Sequence, residues 1–301
     1  MAVVETAPVE RVVDPGAAFA GAALVPGMPQ LLTRERAAAS WVALADAALE
    51  TGAALRAAGA DVLVVLSTQW FTVLGHQLQL EPRLRGRRVD ENWYAYDYGS
   101  LDYDIAIDSE LTELWASEIE SEQLQARRTR YEGFPIDTGT IVAHALLDPD
   151  GALPMALVSC NLYADADALG VLGATALRAA AQLGRRPAFV AVSGLSSALT
   201  QRWIDPGEDA VGDPGHERWD RRMLDLLAAG RLEEALARRE DYAREAQADS
   251  QLRALAFLAG TGRLNVAAEV RAYGPVWGTG AAVVHWTAHP PTSQSIRRDA
   301  A

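Results

Sequence analysis

Residues 61–67 read DVLVVLS, and residues 154–159 (PMALVS) and 187–193 (PAFVAVS) repeat this short, unbroken apolar run. A strand with one face in water alternates apolar and polar residues, whereas a run without alternation is typical of a strand buried on both faces. Residues 19–25 and 281–286 (AAVVHW) add two more such runs. We therefore expect five buried strands in a sheet that is covered by helices on both sides.

Helical patterns separate these strands, and glycines at C-cap positions follow three of them. The predicted helical segments are residues 34–58, 108–125, 165–183, 219–227 and 231–258. Alternation of strand and helix predicts an α/β fold, a single domain with a central, mostly parallel sheet flanked by helices. We assign residues 18–290 to this domain, residues 1–17 to a flexible tail and residues 291–301 to a C-terminal tail.

The composition excludes several classes of protein. Forty acidic residues against 27 basic ones give a formal net charge of −13, which repels a nucleic-acid backbone. No apolar run approaches the ~20 residues of a membrane span, so no membrane contact is expected. The single cysteine, Cys160, precludes an intrachain disulfide and fits a cytoplasmic location; we interpret it as a core residue.

The predicted strands end in residues that are poor metal ligands. Open α/β sheets carry their functional residues at the carboxyl ends of the strands, where a metal enzyme places His, Asp or Glu. This chain places Gly27, Gln69 and Asn161 there. Among five histidines, His76 is the best functional candidate, and His144 is interpreted as a packing residue in an apolar helix.

Aromatic residues and carboxylates are mixed in residues 89–105. Trp and Tyr are enriched in subunit interfaces, so this density favours an interface over a solvated loop. The candidate interface residues are Trp93, Tyr94, Tyr98 and Tyr103.

Several motifs occur in one order: VPG at residues 25–27, DVLVVLSTQW at 61–70, VDENWY at 89–94 and GFPIDTGT at 133–140. With NLY, VSGLS and YGP-WGTGAAV further on, they resemble the alpha subunits of 2-aminophenol 1,6-dioxygenases. Those subunits belong to the class III extradiol dioxygenase superfamily, as does protocatechuate 4,5-dioxygenase. The resemblance extends from about residue 19 to residue 286.

The resemblance implies that an iron site has been lost. Catalytic subunits of the superfamily hold Fe(II) with two His and one carboxylate. The matching positions here are Gly27, Gln69 and Asp249, with Glu245 as an alternative for the carboxylate, and Ser197 matches the acid–base His. Two missing imidazoles leave too few ligands to hold Fe(II). We therefore expect no catalytic residue, metal or cofactor in this chain.

The resemblance further implies a non-catalytic alpha subunit that supports a homologous beta subunit in an α2β2 assembly. Fe(II) is expected in that partner, which would bind most of the aromatic substrate and cleave its ring with O2. Two alternatives stay open. In the first, the chain is a metal-free enzyme that uses a pocket near His76, Asp137 and Tyr163. In the second, it binds an aromatic ligand in the pocket that remains from the lost iron site.

Overall fold

A computed structural model of the protein describes residues 19–33, 37–89, 99–200 and 202–288. The two predicted tails lie outside these residues. Ten strands are described: β1 (Gly21–Val25), β2 (Val62–Thr72), β3 (His76–Gln79), β4 (Arg83–Arg88), β5 (Leu101–Ala106), β6 (Ala126–Thr129), β7 (Met155–Asn161), β8 (Pro187–Val192), β9 (Glu269–Val276) and β10 (Thr279–Thr287).

Eight of these strands form one sheet in the order β6-β3-β7-β2-β8-β1-β10-β9. The four central strands, β7, β2, β8 and β1, run parallel to one another. β10 and β9 extend the sheet on one side as antiparallel strands, and β3 meets β7 antiparallel on the other. The predicted α/β domain with a central sheet is confirmed, and the parallel strands form the centre of that sheet.

Every residue of β1, β7 and β8 is buried, as the unbroken apolar runs predict. Successive side chains of a strand point to opposite faces. In β2, Val62, Val64 and Leu66 join one hydrophobic core, while Leu63 and Val65 join a second core on the other face. Helices must therefore cover both sides of the sheet.

In the described part of the chain, eight α-helices provide this cover, and three short 3-10 helices accompany them. The helices are α1 (Ala39–Ala57), α2 (Ser109–Ser121), α3 (Thr138–Leu147), α4 (Ala166–Gln182), α5 (Pro214–Ala228), α6 (Leu232–Ala237), α7 (Arg239–Ala246) and α8 (Arg253–Ala259). The 3-10 helices are Pro29–Leu32, Pro206–Glu208 and Asp249–Leu252. Apolar residues of α1 and α3 fill the second core, and those of α2 and α4 to α8 fill the first.

The prediction of one helical segment over residues 231–258 is wrong. The helix is interrupted there, because Gln247, Ser250, Gln251 and Leu252 have left-handed φ values between 45° and 57°. Such values end an α-helix. The break separates α7 from α8 and brings Asp249 to the sheet.

β4 and β5 pair as an antiparallel hairpin that lies outside the main sheet. Cys160 is fully buried and its burial raises the pKa of the thiol to about 12, which fits its interpretation as a core residue. Within the described part of the chain, no helix combines the length and apolarity required to cross a membrane.

Gly52 lies inside α1, where a side chain has no room. A Cβ at this position would meet the carbonyl oxygen of Leu147 at 2.0 Å. Gly52→Ala should lower the free energy of unfolding by about 2 kcal/mol or more, because overpacking outweighs the better helix propensity of alanine. Urea unfolding measures the change.

Gly170 in α4 is the matched control, since a Cβ there would meet its nearest heavy atom at 3.8 Å, an ordinary contact. Gly170→Ala should leave stability unchanged or raise it by up to about 1 kcal/mol. A Gly52→Ala protein as stable as the wild type would contradict the close approach of α1 and α3.

Candidate functional site

The carboxyl ends of β1, β2 and β8 meet at one edge of the sheet. At this edge β2 departs from its register with β7, because Ser67 pairs with Ser159 whereas Phe71 pairs with Cys160. The three residues between them, 68–70, form a bulge, a feature that redirects side chains. The bulge directs the Gln69 side chain towards β1.

Gln69 closes the space beside Gly27. Its side-chain Nε2 donates a hydrogen bond to the Gly27 carbonyl oxygen at 3.0 Å. A Cβ on Gly27 would lie 2.5 Å from the Cα of Gly139 and 2.7 Å from a methyl group of Val192. The backbone at the start of α3 therefore occupies the volume that a side chain at position 27 would need.

Asp137 holds the start of α3 in this place. Its Oδ1 accepts hydrogen bonds from the Thr140 amide at 2.9 Å and the Ser67 hydroxyl at 2.6 Å, so one carboxylate caps the helix and fixes it to β2. The Thr140 hydroxyl donates to Oδ2 at 2.7 Å. These bonds account for the burial of Asp137 without a catalytic role.

Asp249 lies at the same edge of the sheet. Its Oδ2 accepts hydrogen bonds from the Gly194 amide at 2.8 Å, the Thr68 hydroxyl at 2.8 Å and the Ser193 hydroxyl at 3.2 Å. The carboxylate thus connects the ends of β2 and β8. Glu245, the alternative in the sequence, is exposed and accepts a hydrogen bond from the Trp219 indole at 3.0 Å. The geometry favours Asp249 as the counterpart of the family carboxylate, and its ancestral role stays a prediction.

A second carboxylate, Asp220, lies behind the loop that follows β8. It is fully buried and accepts hydrogen bonds from the Ser196 amide (3.0 Å) and hydroxyl (2.8 Å) and from the phenols of Tyr242 (2.5 Å) and Tyr273 (2.9 Å). Burial raises the pKa of Asp220, and these donors oppose that shift. Ser197, the position matched to the acid–base His, follows Ser196 on this loop and is half-buried.

No pattern in the sequence marked Asp220, because its partners are 22 to 53 residues away in the chain. Gly280 in β10 is the one local signal, because a Cβ there would lie 1.8 Å from the Asp220 carboxylate.

The structure gives His76, Asp137 and Tyr163 different surroundings. His76 is buried in β3, and burial lowers the pKa of its imidazole to about 4. Its Nδ1 has no hydrogen-bond partner among the described residues. The side chain of Tyr163 is 82% exposed, so it lies on the surface and not in an enclosed pocket. A shared acid–base role for the three is not supported by this arrangement.

The candidate interface is described only in part. Trp93, Tyr94 and Tyr98 lie outside the described residues. Tyr103 is half-buried in β5 opposite Gly86 and packs against the core. Its hydroxyl lies where a Cβ of Gly86 would come within 2.5 Å, so Tyr103 has a packing role inside the hairpin.

Comparison with known proteins identifies the family. Residues 23–284 match the family described as the catalytic LigB subunit of aromatic ring-opening dioxygenase. The match covers most of the chain, which therefore belongs to the LigB family. The predicted resemblance is confirmed.

Two curated relatives are subunits of one kind of enzyme. The chain is 36% identical over 267 residues to the 2-aminophenol 1,6-dioxygenase alpha subunit from Pseudomonas sp, covering 88% of this chain and 97% of the relative. It is 32% identical over 242 residues to the beta subunit from Pseudomonas sp, covering 75% of this chain and 77% of the relative. An uncharacterized protein from Escherichia coli K12 shares the fold, with a TM-score of 0.58 at 15% identity over 88% of this chain and 98% of that one.

The residues at the three matched positions do not fit Fe(II). Gly27 offers no side chain, and Gln69 offers only a weak amide oxygen, while its Nε2 donates to the Gly27 carbonyl. The Asp249 Oδ2 already accepts three hydrogen bonds, two of them from hydroxyl groups. Fe(II) sites of this kind need two imidazoles and a carboxylate with open positions around the metal. In the described ranges, no three His, Cys, Asp or Glu side chains are grouped so that they could hold a metal.

Restoring the two histidines should not restore a metal site. The variant Gly27→His/Gln69→His should bind no stoichiometric iron and should lose about 2–3 kcal/mol of unfolding free energy, because the new imidazole collides with the start of α3. Elemental analysis after anaerobic incubation with Fe(II) and urea unfolding measure both effects. Gln69→His alone is the control that leaves the Gly27 contact with Gly139 intact. Stoichiometric iron in a folded double variant would show that the edge can open.

Asp220 should be essential for stability. Asp220→Asn places an amide nitrogen against several donors in a fully buried site, so we expect a loss of about 3 kcal/mol or more in unfolding free energy. Asp225→Asn, an exposed position in the same helix, should change it by less than about 0.5 kcal/mol. Equal stability of the two variants in urea would refute the importance of the cluster.

Proposed function

We propose that this chain is the non-catalytic alpha-type subunit of a heteromeric extradiol ring-cleaving dioxygenase. In this proposal a homologous, iron-bearing beta-type subunit cleaves the ring of 2-aminophenol or a related aromatic compound with O2. This chain holds no Fe(II) and no other cofactor, and it stabilises the catalytic subunit.

The closed edge of the sheet is the observation that carries the proposal. Strands β1, β2 and β8 are all formed, yet Gly27 has no room for an imidazole because Gly139 lies against it. Gln69 and Asp249, which the resemblance matches to metal ligands, make hydrogen bonds within the protein. Such a site supports a role in which the fold is needed and its former chemistry is not.

The relatives support a partner subunit. The curated alpha and beta subunits both resemble this chain, and the alpha subunit does so over more of its own length, 97% against 77%. We infer that the partner is a homologous chain from the same source with histidines at the positions that match Gly27 and Gln69. An α2β2 assembly is the expected stoichiometry.

Purification of each chain alone and of the pair tests the proposal. We expect stoichiometric iron in the partner and in the pair and none in this chain. We also expect O2 consumption with 2-aminophenol to be faster or longer-lived in the pair than in the partner alone. Light scattering of the pair measures the stoichiometry. Iron or substrate-dependent O2 consumption in this chain alone, or a partner that is equally active and stable without it, would overturn the proposal.

Ser197→Ala in this chain provides a sharper control within the assembled pair. A general acid or base contributes about 10²–10⁴-fold to a rate. Because we assign no proton transfer to Ser197, the variant pair should keep its kcat within about twofold of the wild type. A loss of about 100-fold or more would place chemistry in this chain.

A further inference from the structure

The main sheet has a weakly paired contact between β3 and β7. Within the described sheet these two strands are paired in register at a single position, Leu78 opposite Val158, whereas β2 pairs with β7 along its length apart from the bulge. β6 pairs with β3 and lies at the edge of the sheet, so both strands are joined to the other strands through this contact. We call the contact between residues 75–79 and residues 157–161 the seam.

Side chains hold the seam where the backbone ladder is missing. The Gln77 amide donates to the Ser159 hydroxyl at 2.8 Å, and the side-chain amide of Asn161 donates to the Gly75 carbonyl at 3.0 Å. The Thr72 hydroxyl donates to the same Gly75 carbonyl at 3.0 Å and lies 3.1 Å from the Ser159 hydroxyl. A few side-chain bonds in place of a continuous ladder mark a place where the sheet can open locally.

His76 and Cys160 lie opposite each other in the seam. Opposite positions of an antiparallel pair move in opposite directions along the two chains, so the pair of Leu78 and Val158 places His76 opposite Cys160. The side-chain bonds of the seam lie on either side of this position. Side chains two residues apart face the same side of a strand, and Leu78, Val158 and Cys160 all belong to the first core. The imidazole and the thiol therefore share one face of the sheet.

A positive charge on His76 would have no partner on β7. Its side chain is buried, and Nδ1 has no hydrogen-bond partner among the described residues. The facing group on β7 is the Cys160 thiol, which stays neutral because burial raises its pKa to about 12. The charges of Arg253 and Asp249 also reach that thiol, and they shift its pKa in opposite directions.

β6 and α2, the other elements beside β3, provide no free carboxylate for His76. Ala126 of β6 pairs with His76. Arg128, two residues further on, faces the same side, and its guanidinium forms ion pairs with Glu113 and Glu120 of α2. Burial alone lowers the pKa of His76 from 6.5 to about 4, so these neighbouring charges do not contribute to the shift.

Acid favours the opened seam. In the closed seam the His76 imidazole is neutral, whereas in an opened seam it meets water and titrates near its ordinary pKa. The opened state therefore binds the proton more tightly, so the stability of the seam is complete above pH 6.5 and falls as the pH falls from 6.5 towards 4. β3 and β6 are four-residue strands, and such a pair is not stable alone, so both lose their structure when the seam opens.

We propose that the seam is an acid-sensitive joint that opens when His76 takes up a proton, while the other six strands of the sheet stay paired. The joint is a property of this chain alone and does not depend on the proposed function. Opening uncovers Cys160, which is the single cysteine of the chain, so one thiol reports on the joint.

Thiol labelling of the full-length chain with dithiodipyridine tests the joint. The rate is divided by that of the urea-unfolded chain at the same pH, which removes the effect of thiol ionisation. For a pKa that is 6.5 in the opened seam and about 4 in the closed seam, we expect the relative rate to rise about 30-fold from about pH 7.5 to about pH 5.

The variants separate His76 from the other buried histidines. His76→Phe takes up no proton, so its relative rate should change by less than about threefold over the same pH range. His144→Gln is the matched control, because the pKa of His144 in α3 is also lowered by burial but His144 lies outside the seam. This variant should keep the wild-type response. His76→Leu replaces His76→Phe if the larger ring prevents folding.

Hydrogen exchange distinguishes a local opening from global unfolding. Protection factors of residues 76–80 and 126–129 should fall on acidification, while those of residues 187–192 in β8 should not. An unchanged labelling rate in the wild type, or the wild-type rise in a folded His76→Phe or His76→Leu variant, would overturn the proposal. Loss of protection in all strands together would assign the rise to global unfolding and overturn it as well.

Discussion

The carboxylate of Asp249 connects the parts of the molecule that meet at the carboxyl edge of the sheet. It accepts hydrogen bonds from the end of β2 through Thr68 and from the loop after β8 through Ser193 and Gly194. Hydrogen bonds to a charged acceptor contribute about 1.5–3 kcal/mol each, so this one carboxylate stabilises the contact between the end of β2 and the loop after β8.

Asp220 completes this arrangement from the other side of the loop. Asp249 binds the loop at Gly194, and Asp220 binds it at Ser196, while Gly280 leaves the space that the second carboxylate needs. The phenols of Tyr242 and Tyr273 satisfy a buried charge that would otherwise be costly. The loop after β8 is thereby fixed by two carboxylates, although the position matched to the family's acid–base His holds only Ser197.

The sequence was sufficient to predict the central strands, because a strand that is buried on both faces has apolar residues at successive positions. It was insufficient for β4, which reads RLRGRR and is fixed by pairing with β5, and for the break before α8, which depends on left-handed backbone at residues 250–252. Ladder pairing and local φ values arise from tertiary contacts and have no periodicity to detect.

The candidate site divides in the same way. Gly27 and Gln69 could be recognised from their places at the strand ends, since topology brings those ends together. The lack of space beside Gly27 could not be predicted from the sequence, because it depends on how near Gly139 comes to Gly27. That distance is set by Asp137, which caps α3 and accepts a hydrogen bond from Ser67. A sequence shows that a ligating side chain is absent, whereas only the packed structure shows that the space beside Gly27 is occupied. The packing is the stronger observation, since a Cβ at position 27 would lie 2.5 Å from the Cα of Gly139, so an imidazole there would require the start of α3 to move.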